Sequence, residues 1–123
     1  MRLNTFLLIA SLLAIFFALG FLVAPAQVLS QYGVQSDADD ALMSRFFGAA
    51  LLHLGLVLYF IRDVTDPYTQ KGLVHAGVIG SACGLLVALS GRLNGVVNAL
   101  GWSTVLIYAL LLAGYVSFLR NRR

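Results

Sequence analysis

A chain of 123 residues that is 60% hydrophobic and only 11% charged lies outside the range of soluble domains, in which roughly 25% of residues are charged. So few polar side chains cannot cover that much apolar residue in water, which excludes a conventional soluble enzyme or binding domain. The net charge of +3 comes with no basic stripe beyond the short tail Arg120-Asn121-Arg122-Arg123, so no nucleic-acid partner is expected.

The first apolar run, residues 5–24, carries no charge and matches the roughly 20 residues that span about 30 Å of hydrocarbon as a helix. Met1 and Arg2 before it and Ala24-Pro25-Ala26 after it also fit a secretory signal. The run is longer than the roughly 7–15 residues of a signal's apolar core, so it reads as a retained span. Just beyond it, Val28, Leu29 and Tyr32 share one face between Pro25 and Gly33, which predicts a short helix lying at the membrane interface.

The second span covers residues 41–61 and tolerates Arg45. Ser36 followed by Asp39 has the form of a capping box, and Asp37, Asp39 and Asp40 suit the positive end of a helix dipole, so this helix starts near Asp37. The third span covers residues 73–89. Asp66-Pro67 is an N-cap and first-turn pair, placing the helix start ahead of the apolar run, and Gly91 is the expected left-handed C-cap. The fourth span covers residues 96–119. None of the runs alternates polar with apolar residues, so they are helices and not barrel strands.

Small residues at intervals of four let membrane helices approach closely. Helix one has Ala10, Ala14 and Ala18; helix three has Ala76, Gly80, Gly84 and Ala88; helix four has Ala109 and Ala113; helix two adds Gly48 and Gly55, seven apart and so near one face. The fold class expected is all-α, an integral membrane antiparallel four-helix bundle forming a single membrane domain over residues 1–123. Arg2, Arg62, Lys71, Arg120, Arg122 and Arg123 fall on one side of such a bundle and Arg92 on the other. Basic residues are retained inside, so both termini are expected in the cytoplasm, with residues 25–40 and 90–95 outside.

The succession Ala24-Pro25, Tyr32-Gly33-Val34, Arg45-Phe46-Phe47-Gly48 and Gly101-Trp102 resembles the small four-helix bacterial membrane proteins known only as domains of unknown function. More distantly, it is similar to DoxX-like membrane proteins. The resemblance covers most of the chain, implies four spans in a bacterial cell membrane, and brings no catalytic residue with it.

Polar groups at membrane depth are the candidates for a site, because burying them is costly. Arg45 either snorkels toward the interface beside Asp39 and Asp40 or anchors an anion such as a carboxylate or lipid phosphate, with Gly48 and Ala49 leaving room for it. His53 and His75 invite a reading as haem ligands or a proton relay. Their expected depths differ by about one helical turn, and hydrogen bonds to a backbone carbonyl or to Ser81 or Ser103 are the simpler role. Tyr59, Asn98, Trp102 and Tyr108 suit an interfacial belt or contacts between helices. The lone Cys83 allows no disulfide within the chain and no cysteine-spaced metal site.

No catalytic constellation, metal cluster or cofactor site is expected. The chain has no glutamate, and its five aspartates lie in connections or at helix ends, which disfavours a proton-coupled multidrug antiporter. Two functions remain: an accessory or interaction subunit that meets a membrane-protein partner or another copy of itself, and a binding or transport module for an amphiphile or lipid whose anionic head sits near Arg45. Membrane lipids are expected contacts in either case.

Overall fold

The computed structural model describes residues 2–35 and 37–121. It contains α1 (Leu3–Val23), α2 (Pro25–Gln31), α3 (Ala38–Ile61), α4 (Pro67–Leu93) and α5 (Gly101–Asn121), with no strand among the described residues. Helices α1, α3 and α4, and α5 over Gly101–Arg120, are long and apolar enough to cross a membrane. The chain forms two compact units, one made by α1 to α3 and the other by α4 and α5.

The starts of α3 and α4 have local causes. At α3 the Asp37 carboxylate accepts from the Asp40 N–H at 2.9 Å while the Asp40 carboxylate accepts from the Asp37 N–H at 3.2 Å, so two otherwise orphaned donors are satisfied reciprocally. The box expected between Ser36 and Asp39 falls on Ser36, which lies outside the described residues. At α4, Asp66 caps the Thr69 N–H at 3.0 Å and Pro67 takes the first turn, as the sequence predicted. The short helix after Pro25 is also present, as α2.

Two helix ends are Schellman motifs built on glycines with positive φ. Gly33 (φ 78°) ends α2, with Val34 N–H bonded to Leu29 O and Gly33 N–H to Ser30 O, both at 3.0 Å. Gly95 (φ 76°) ends α4, with Val96 N–H bonded to Gly91 O at 2.9 Å and Gly95 N–H to Arg92 O at 3.3 Å. The expectation for Gly91 is thereby corrected: it remains helical and supplies the carbonyl that the motif closes on. The fourth helix likewise starts later than its apolar run. Residues 96–100 form a turn in which the Asn98 side chain accepts from Leu100 N–H at 2.9 Å and its carbonyl accepts from Gly101 N–H at 2.9 Å. Apolar residues on either side of Asn98 hide that turn from a hydropathy reading.

In the first unit α1 packs on α3, with Ala10, Ser11, Ala14 and Ala18 buried along α1. Both α3 glycines lie in this seam. A Cβ added at Gly55 would meet Ile15 Cγ1 at 2.7 Å, Ser11 O at 3.1 Å and Ala14 Cβ at 3.2 Å. One at Gly48 would meet Phe21 Cβ at 3.0 Å and Ala18 O at 3.1 Å. The buried Ser11 hydroxyl donates to Leu8 O at 2.7 Å, so it brings no unpaired polar group into the contact. Phe21 and Phe47 close one end edge to face at 5.1 Å. At the other end Asn4 donates to Asp63 at 3.2 Å, and Arg62 lies 4.2 Å from the Tyr59 ring centroid.

The second unit uses a different device. Tyr108 lies over Gly84 and Tyr115 over Gly77, in space that a Cβ at either glycine would invade. Ala113 is exposed, whereas Tyr115 and Phe118 are buried with Val74 and Ser81 of α4. A flat ring can occupy the groove left by a missing side chain, and it contributes far more contact area than alanine does.

Candidate functional site

Arg45 sits two turns into α3 and is exposed. Its Nε donates to Leu22 O at 3.3 Å, one of the last carbonyls of α1, where a cation also meets the negative end of the helix dipole. Gly48, one turn further along, is buried against Ala18, Phe21 and Leu22. The volume beside Gly48 is thus occupied by α1, while Ala49 is exposed. Arg45 and Gly48 therefore share the side of α3 that meets α1.

His53 is an exposed residue of α3. His75, on α4 in the second unit, is also exposed, and its Nδ1 lies 2.7 Å from the Lys71 carbonyl. A carbonyl can only accept, so this bond places the proton on Nδ1. The bond is made within one helix, whereas the role expected for each histidine was a bond across a helix contact. Ser103, one of the two serines considered as partners, donates to Leu100 O at 2.6 Å. Among the described residues no group of three or more His, Cys, Asp or Glu side chains gathers to hold a metal ion.

At the N-terminus of α4 the Thr69 hydroxyl and N–H both donate to Asp66 and hold its carboxyl below the ordinary value of 3.8. The charge there serves the helix cap. A further polar feature escaped the sequence reading, which used Arg92 for topology alone. The Arg92 guanidinium lies 5.5 Å from the Trp102 ring centroid, and its Nε is buried without a hydrogen-bond partner. The available signal was the short glycine turn that joins a basic helix end to an aromatic helix start.

Four helices long and apolar enough to cross a membrane support the class of membrane proteins with transmembrane helices. The family model described as Domain of unknown function (DUF8292) matches residues 8–122, and the chain belongs to that family. No curated protein and no solved structure matches it.

Proposed function

We propose that this protein is a non-enzymatic accessory subunit of a membrane assembly, docking on a transmembrane helix of a larger partner through α4. The supporting observation is that α4 has two small-residue faces and α5 covers one of them. Within the unit of α4 and α5, Gly77 and Gly84 lie under the tyrosines of α5, whereas Gly72, Ala76, Gly80 and Cys83 are exposed, and a Cβ at Gly72 or Gly80 would meet nothing within 4 Å. Lipid gains nothing from such a ridge, but a second helix backbone can approach it closely. The setting of this reading is an antiparallel four-helix bundle in a bacterial cell membrane with both termini cytoplasmic. The distant likeness to DoxX-like proteins belongs to the same reading and assigns no residue.

A second reading, an amphiphile-binding module, draws on Arg45. Only its Nε is engaged among the described residues, which leaves the outer edge of the guanidinium for a carboxylate or phosphate head. Such a ligand would lie at the surface beside the end of α1.

Extraction of the tagged protein from its native membrane in mild detergent, followed by native mass spectrometry, tests the docking reading. Wild type should carry a different membrane chain in stoichiometric amount, and Gly80→Leu should lose it while keeping its own helical content. A protein that emerges with lipid alone, or with only a second copy of itself, would refute the accessory role.

A further inference from the structure

Arg92 lies in the last turn of α4 and Trp102 in the first turn of α5, and the Schellman turn at Gly95 brings them together with Cζ 5.5 Å from the indole centroid. The arginine stem runs along the start of α5: its Cδ is 3.4 Å from where a Cβ on Gly101 would stand. Its Nε is buried with no hydrogen-bond partner, and the side chain makes no ion pair among the described residues. A partly desolvated cation without an acceptor is costly. Its own unit has no acidic side chain near it, because the sole one between residues 64 and 123 is Asp66. Asp66 caps the far end of a helix of 27 residues, about 40 Å away at 1.5 Å per residue.

We propose that the Arg92–Trp102 corner is a phosphate-recognition site whose ligand is the phosphodiester of a phospholipid headgroup. With Nε buried and the guanidinium beside the indole, the terminal nitrogens would serve as the pair of donors that two phosphate oxygens accept. Tryptophan at a helix end matches the level at which headgroups meet hydrocarbon. The neighbours distinguish a lipid from a free anion: Leu93, Val96 and Leu100 are 72%, 63% and 41% exposed, apolar surface that acyl chains cover and inorganic phosphate does not. This site is independent of the docking ridge and stands or falls apart from it.

Trp102 is the only tryptophan in the chain, so fluorescence excited selectively at tryptophan, beyond the absorption of the five tyrosines, reports this corner alone. Full-length protein in lipid-free detergent is titrated with short-chain phosphatidylglycerol, with the diacylglycerol of the same tails, and with inorganic phosphate. A saturable change with the phospholipid, absent with the diacylglycerol, is expected, and Arg92→Gln should raise its midpoint at least about tenfold, a factor well resolved by titration. Native mass spectrometry provides the second readout: Arg92→Gln and Arg92→Lys should retain fewer phospholipids than wild type, and Arg120→Gln should not. An equal response to phospholipid and diacylglycerol, or equal retention by wild type and both Arg92 variants, overturns the site. Saturation by inorganic phosphate at the same concentrations would overturn the lipid as its source.

Discussion

Arg45 is tied to the first helix by a bond from Nε to Leu22 O at 3.3 Å, and that bond can be separated from any role in holding a ligand. A lysine ammonium can also donate to a helix-end carbonyl and keeps the favourable charge, but it lacks the planar fork. Arg45→Ala should therefore lower stability in detergent by about 0.5–1.5 kcal/mol, the range for one net hydrogen bond, and Arg45→Lys should recover most of the loss. Thermal unfolding with and without native lipid extract is the measurement. Equal responses of wild type and Arg45→Lys to the extract are expected if the carbonyl is the main partner. A lipid-dependent gain confined to wild type would assign Arg45 an anionic ligand and favour the amphiphile-binding reading.

Helix pairing in the two units rests on glycine in two ways. Along α3, Gly48 and Gly55 admit the backbone and small side chains of α1; along α4, Gly77 and Gly84 admit tyrosine rings of α5. The two exposures of α4 make a controlled comparison. At Gly84 a methyl group enters the space of the Tyr108 ring, so Gly84→Ala should cost about 1–3 kcal/mol, the usual penalty of overpacking. At Gly80 a methyl group meets nothing within 4 Å, and the better helix propensity of alanine should leave stability unchanged or raise it by up to about 1 kcal/mol. Unfolding of the two variants in the same detergent decides the matter. Equal destabilisation would mean that the seam does not lie where Gly84 meets Tyr108.

For the whole chain, the asymmetry of basic residues makes a topological prediction. Cysteines at Gln35 and Asn121 in a Cys83→Ser background should react with a membrane-impermeant thiol reagent from outside and inside the cell, respectively. Gln35 lies between α2 and α3, and Asn121 is the last residue of α5. Labelling of both from one side would defeat the four-span arrangement with cytoplasmic termini. The tail residues Arg122 and Arg123, which weigh in the charge count, lie outside the described residues.

Much of this architecture was legible because it is written in local signals. Length and apolarity identified the four long helices, Asp66-Pro67 marked the start of α4, and the spacing of Gly48 and Gly55 anticipated the face that α3 turns to α1. Other features depended on which of several equivalent local patterns closes, or on contacts between helices. Gly91 and Gly95 are equally good helix stops in sequence, and only the closing bond from Val96 to Gly91 O selects Gly95. Gly80 and Gly84 both fit a small-residue ridge. Tyr108 and Tyr115, spaced like Gly84 and Gly77, determine which part of that helix becomes the seam. Among the candidate site residues, the sequence singled out Arg45 by the cost of its charge at membrane depth, whereas the carbonyl it binds comes from a residue 23 positions earlier. Chain length, hydropathy and caps thus determined the elements, since each acts within a few residues. The tertiary structure decided which faces meet and which charge is left without a partner, because both depend on groups far apart in the chain.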